Sequence, residues 1–87
     1  MAFHLYILQS TSTGKFYVGQ CENIEARLLR HNSNMVPSTK YKGPWKLVYT
    51  ENYENRSMAV GREMELKKKK SRIYIENLIR NWQTRPD

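Results

Sequence analysis

The chain has 87 residues, enough for one small domain but too few for a large core, so few polar groups can lie inside without partners. Hydrophobic residues make up 39% and charged residues 26%, a soluble, globular balance rather than a disordered one, and no apolar run is long enough to span a membrane. The net charge is +7 and it is uneven: residues 1–55 carry six Lys/Arg and four Asp/Glu, residues 56–87 nine and four. That asymmetry favours a polyanion partner, most simply nucleic acid, although a solubilising surface would look the same. Cys21 is the only cysteine, which excludes an intrachain disulfide and any paired Cys/His zinc motif. The opening MAFHLYIL has no basic segment or cleavage site, so no signal peptide is expected. A reducing, cytoplasmic location is the default.

Phe3–Gln9 is aromatic and aliphatic and reads as a strand; Ser10–Lys15 is a polar turn containing Gly14, and Phe16–Cys21 reads as a second strand. Together they predict a β-hairpin. Asn23 suits the N-cap of a helix over Ile24–Asn32, with Ile24 and Leu28 as its apolar edge and Leu29 partly flanking it. Ser33–Gly43 is a loop, and a third strand spans Lys46–Tyr53. Ser57 is the expected cap of a second helix running to about Lys69. Ser71 is the expected cap of a third, on which Ile75, Leu78, Ile79 and Trp82 recur at helical spacing. The order β-β-α-β-α-α predicts an α/β (α+β) domain: a small three-stranded, mainly antiparallel sheet flanked by helices. A single domain is expected over residues 1–83, with a frayed tail at 84–87.

With Gln9 paired to Phe16, Tyr6 lies opposite Gly19, and Tyr6 and Tyr17 become diagonal neighbours on one face; a one-residue slip would separate them. A phenol can give or take a proton, but strand tyrosines also serve as half-buried packing residues. Gly19 marks either a bulge or a close approach by a phosphate or another backbone. Arg27 and His31, spaced i, i+4, neighbour each other at the border of the first helix's apolar face. An arginine fork can hold a phosphate and a histidine can move a proton. A solvated arginine and a boundary histidine are the plainer alternative.

Glu63 gives the sharpest signal. On a helical wheel Ala59, Val60, Met64 and Leu66 form an apolar arc with Glu63 near its middle. An inward carboxylate must be paired, protonated or bound to metal. Oxygen ligation suits Mg²⁺ or Mn²⁺; a salt bridge to Lys67 or Arg27 is the alternative. Lys67, Lys68, Lys69, Lys70 and Arg72 can contact phosphates or simply complement a helix C-terminus. Lys40, Tyr41, Lys42 and Trp45 form a second basic and aromatic cluster, where the aromatics would stack on bases or Trp45 would anchor the loop.

Read together, these segments resemble the GIY-YIG nuclease superfamily over residues 3 to 80. His4-Leu5-Tyr6, ten residues, then Tyr17-Val18-Gly19 is similar to the paired strands that name it. RLLRHNS (Arg27–Ser33), GPWKLVYTE (Gly43–Glu51), the stretch Arg62–Lys67 and SRIYIENLI (Ser71–Ile79) look like its first helix, third strand, metal-binding helix and closing helix. The likeness is to small single-domain bacterial members, which resemble the N-terminal nuclease domain of the excision-repair endonuclease. It implies a metal-dependent endonuclease that hydrolyses DNA phosphodiester bonds by a one-metal mechanism in repair or recombination. Tyr17 would activate or orient the water, with Tyr6 in the same hydrogen-bond network. Arg27 would hold the scissile phosphate, His31 would assist proton transfer, and Glu63 would be the single protein ligand of one Mg²⁺ or Mn²⁺. Three departures stand out: His4-Leu5 replaces Gly-Ile, Cys21 stands where a small hydroxyl residue is common, and Tyr74-Ile75 stand where many small members carry lysines. The expected partner is DNA, branched or damaged forms included, with an accessory protein for targeting and no membrane. A non-catalytic nucleic-acid-binding module and a protein-interaction domain are the competing functions.

Overall fold

The computed structural model describes residues 2–84. Its elements are β1 (Phe3–Ser10), β2 (Phe16–Cys21), α1 (Ile24–Asn32), a 3-10 turn at Pro37–Thr39, β3 (Trp45–Tyr53), α2 (Arg56–Lys69) and α3 (Arg72–Thr84). The strands form one antiparallel sheet in the order β2-β1-β3, the class and element order that the sequence predicts. The expected tail lies outside the described residues except for Thr84, which closes α3. Among the described residues no helix is long and apolar enough to cross a membrane.

The central place of β1 explains its composition. Leu5, Tyr6, Ile7 and Leu8 form an unbroken run with 1% or less of each exposed. A strand covered on both faces reads as a continuous apolar run rather than an alternating one. Leu5 and Ile7 pack with Leu66 of α2 and with Ile75 and Ile79 of α3. Tyr6 and Leu8 face the other way, against Cys21, Trp45 and the Ile24 and Leu28 edge of α1. Leu29, expected to flank that edge, is 67% exposed. Each fully buried aliphatic side chain contributes about 1.5–3 kcal/mol. The hairpin register is the expected one, with Tyr6 opposite Gly19 and Leu8 opposite Tyr17. Between β1 and β3 the register shifts after Ile7: Ile7 pairs with Tyr49 and Leu8 with Leu47. Val48 is thereby the extra residue, and it joins Tyr49 on the α2/α3 side.

Three asparagine and serine side chains start the helices. Asn23 accepts from the Ala26 amide at 3.0 Å and Ser71 from the Tyr74 amide at 3.2 Å, as expected. The cap of α2 is Asn55, not Ser57: Asn55 has extended backbone angles and accepts from the Met58 amide at 3.0 Å. Ser57 falls inside the first turn and donates to Asn55 at 2.9 Å.

The apolar arc expected on α2 is also turned. Ala59 and Leu66 are buried, but Met64 is 61% exposed. The physical reason is a polar cluster that draws Arg62 toward the sheet. Its Nε donates to Glu51 Oε1 at 3.0 Å and its Nη2 to Oε2 at 3.1 Å, with both side chains mostly shielded from solvent. Tyr53 donates to Glu51 at 2.5 Å, Tyr49 also donates to it, and Glu65 pairs with Arg62 at 3.2 Å. The long connection before β3 is held just as firmly. The Asn32 side chain donates to the Trp45 carbonyl at 3.0 Å and accepts from its amide at 2.7 Å, imitating a strand partner. Buried Ser10 donates to the Lys42 carbonyl at 2.6 Å.

The Glu51 cluster bounds stability in pH at both ends. Burial alone would raise the Glu51 pKa, but hydrogen bonds from Arg62, Tyr49 and Tyr53 outweigh it and the net shift is downward. The unfolded chain then binds the proton first, so this stability is complete above the ordinary carboxylate value and is lost as pH falls through the folded one. Burial and the Glu51 contact push Tyr49 and Tyr53 up to about 12, so their contribution holds below the ordinary phenol value of 10.0 and is lost above it. Denaturant midpoints measured across pH should fall at both extremes. In Glu51→Gln the neutral plateau should drop and the acid slope flatten; an unchanged acid slope would show that Glu51 does not carry it.

Candidate functional site

The site grows from the face of β1 that carries Tyr6. Strand geometry points Tyr6 toward α1, and there its hydroxyl meets His31 Nε2 at 3.0 Å. Both side chains are 1% exposed, so His31 is a core residue rather than a boundary one. Tyr17 enters from β2, half-buried. Its ring centroid lies 6.3 Å from Tyr6 and 4.8 Å from His31, edge-on to the imidazole. The close approach at Gly19 is neither a bulge nor a backbone contact, because the Tyr6 ring lies across it. A Cβ on Gly19 would stand 2.6 Å from the Tyr6 oxygen and 2.7 Å from Cζ. Only glycine leaves room there for the phenol.

The hydrogen bonds run in one direction. Thr39, buried in the 3-10 turn, donates from Oγ1 to the Val36 carbonyl at 3.4 Å. Its oxygen therefore accepts from the Nδ1–H of His31 at 2.8 Å. That assigns the proton to Nδ1 and leaves Nε2 bare to accept from the Tyr6 hydroxyl. Burial, reinforced by the nearby Arg27 and Arg30 charges, lowers the His31 pKa to about 4, so the imidazole is neutral at ordinary pH. Burial, reinforced by Tyr17 and opposed by the adjacent Arg27, pushes the Tyr6 hydroxyl well above the usual phenol range. Tyr6 is thus a held proton donor with Arg27 beside its oxygen. Sequence reasoning missed Thr39, which lies in an aperiodic loop. The only cue was Trp45, whose Nε1 donates to the Thr39 carbonyl at 3.3 Å and fixes the turn.

The structure brings Tyr6, Tyr17, Arg27 and His31 together directly. Glu63 joins them through Lys67. Its side chain is 19% exposed, and its Oε2 accepts from Lys67 Nζ at 2.6 Å, the ion pair that was the alternative reading of this carboxylate. The same Nζ lies 5.8 Å from the Tyr17 ring centroid. Glu63 Oε1 has no hydrogen bond among the described residues. No group of three or more His, Cys, Asp or Glu side chains there could hold a metal.

The basic residues are dispersed. Lys68 and Lys70 are exposed, with Lys70 ending α2 in the left-handed region at φ 47. Lys69 lies over the Tyr74 ring at 4.8 Å. Arg72 pairs with Glu76 at 3.1 Å and donates to the Gly14 carbonyl at 3.2 Å. On the loop before β3, Lys40 lies over the exposed Tyr41 ring at 5.2 Å, and Lys42 donates to the Ser38 carbonyl at 3.4 Å. Trp45 is buried and anchors the loop, so it offers no stacking surface. Cys21 is buried against the same cluster, and burial raises its thiol pKa.

Residues 2–78 match the profile of the GIY-YIG catalytic domain. This chain belongs to the GIY-YIG family. Its relatives include the UPF0213 proteins of Staphylococcus aureus strains Mu3 and Mu50. Each is 36% identical over 81 residues, covering 87% of this chain and 99% of theirs. A similar solved structure is the solution NMR structure of a UPF0213 protein from Bacillus halodurans. It has 30% sequence identity and a TM-score of 0.56, and the match covers 91% of this chain and 83% of that one. GIY-YIG domains form a nuclease family acting on DNA, and its members generally depend on a divalent metal. The UPF0213 names specify no activity.

Substitutions at two positions check the wiring. In the NMR spectrum of the folded chain, the His31 ring nitrogens should report Nδ1–H and a bare Nε2 at pH 7. Thr39→Val should mix the tautomers while Thr39→Ser preserves them; identical spectra for Val and Ser would refute the assignment. Gly19→Ala should cost about 1–3 kcal/mol in denaturant unfolding by displacing the Tyr6 ring.

Proposed function

We propose that this GIY-YIG domain is a one-metal endonuclease that hydrolyses DNA phosphodiester bonds. The observation that supports it is the convergence of Tyr6, Tyr17, Arg27 and His31 on one face, with Glu63 one lysine away. Glu63 fits the role of a single protein ligand: a hard oxygen donor, mostly shielded, with Oε1 left open. A divalent cation such as Mg²⁺ or Mn²⁺ held there would stabilise charge on the leaving oxygen.

The chain's own groups supply the rest. Arg27 holds the non-bridging oxygens of the scissile phosphate, since its fork can donate twice to a phosphate. Tyr17, the more accessible phenol, orients the attacking water and helps remove its proton. Tyr6 keeps its own proton on the way to His31 Nε2, which leaves its oxygen able to accept from the water or from Arg27. The neutral His31 then accepts from Tyr6 without adding a positive charge to the buried face. Lys67 would have to release Glu63 for a cation to bind there, and its ammonium already lies over the Tyr17 ring. Lys40, Lys42 and the cations of Lys67–Arg72 would meet phosphates to either side.

The Lys67–Glu63 pair also favours a second reading, a nucleic-acid-binding module that does not cut. Cleavage assays on duplex, flap and branched DNA with Mg²⁺ or Mn²⁺ separate the two. Tyr17→Phe and Glu63→Gln should each slow cutting by roughly 10²–10⁴-fold while leaving DNA binding intact. Wild-type protein that binds every substrate and cuts none of them would establish the second reading instead.

A further inference from the structure

Arg27 has a second setting. A surface cavity of about 250 Å³ opens beside it, and its lining brings in Arg30, Arg56 and Glu22. Three guanidinium groups surround one carboxylate, a surplus of positive charge at a concave place. Arg56 is aimed by its partners: Nη2 donates to Glu22 at 2.9 Å, Nη1 to Gln20 at 3.5 Å, and the guanidinium lies 5.0 Å from the Phe3 ring centroid. The Arg30 side chain makes no hydrogen bond or ion pair among the described residues. Among the described residues that line the cavity Glu22 is the only acidic one, and the exposed Glu22–Arg56 pair is weak enough to open for a stronger anion.

We infer that Arg30 and Arg56 form a second phosphate subsite, which takes the phosphodiester next to the one on Arg27 along the same nucleic-acid strand. This rests on the nuclease reading for the role of Arg27. Arg27 and Arg30 are three residues apart on α1 and so neighbour each other on its surface. One arginine fork serves the reacting phosphate and the next serves its neighbour, so the strand enters the site along α1 toward the start of α2. The subsite positions substrate and touches no reacting atom.

The experiment measures the affinity of the full chain for a fluorescent DNA oligonucleotide over a salt series in EDTA, with turnover measured in parallel in Mg²⁺. Each lost phosphate contact removes roughly 0.7–0.9 from the slope of log K against log salt. Arg30→Gln with Arg56→Gln should lower the slope by about that much, since both serve one phosphate, and raise KM with kcat unchanged. Lys46→Gln, which removes one charge at an exposed position of β3, should leave the slope alone. Glu22→Gln should tighten binding by freeing Arg56. Inorganic phosphate, followed by amide shifts, should bind far more weakly than the oligonucleotide. An unchanged slope in the double variant, an equal loss in Lys46→Gln, or phosphate binding as tight as DNA overturns the subsite. A wild type that cuts while the double variant keeps its slope sinks the subsite alone. A wild type that binds with the expected slopes but never cuts sinks the nuclease reading alone.

Discussion

The hydrogen bond between Tyr6 and His31 joins parts of the chain that nothing else at the site holds so closely. It ties the central strand to α1 across 25 residues of sequence, and His31 passes the connection on to the 3-10 turn through Thr39. Every polar atom along this path is buried, so a missing partner would cost about 1–3 kcal/mol. Three choices follow from it. Position 19 has to be glycine to admit the phenol, Trp45 has to pin the turn that carries Thr39, and Asn32 has to clamp Trp45. Packing density around Tyr6 and directional bonding through His31 leave one arrangement of the two tyrosines.

The opposite face of the sheet has its own organiser. Glu51 gathers two tyrosine hydroxyls and the Arg62 fork, and this draws one side of α2 inward. Glu63 is the next residue along that helix. Anchoring Arg62 to the sheet fixes the azimuth of α2, and with it the direction in which the i, i+4 pair of Glu63 and Lys67 is presented. The two faces are therefore coupled: a polar cluster beneath the sheet sets the azimuth of a carboxylate at its edge. A helix with a stronger apolar stripe would not need such a clamp.

Local signals in the sequence were enough for the hairpin and the Asn23 and Ser71 caps, because turn chemistry and capping act within a few residues; the assumed pairing of Gln9 with Phe16 is the one observed, while the β1–β3 register shift left no local trace. The site was legible where spacing is local, as for Arg27 and His31 on one helix, or where register fixes it, as for Tyr6 and Tyr17. One of two shielded carboxylates was legible. Wheel geometry chose Glu63, while the deeper charge pair is Glu51 with Arg62, and a strand residue reaching a helix eleven positions later leaves no periodic trace. Thr39 was invisible for the same reason: its burial depends on Trp45 and His31, contacts made only once the chain has closed. Ser57 lost to Asn55 because both are good caps and only the backbone angles decide between them.

The Lys67 ammonium has a consequence for how the domain folds. It acts as a resident counter-ion, neutralising Glu63 inside a single helix without anything from solution. Without it, a mostly shielded carboxylate would be an uncompensated charge near the tyrosine face. With the lysine in place, the helix needs no cation from solution to balance that charge. On the one-metal reading, an arriving cation would displace a lysine rather than fill an electrostatic gap, and the released ammonium would stay near the Tyr17 ring, 5.8 Å from whose centroid it now lies.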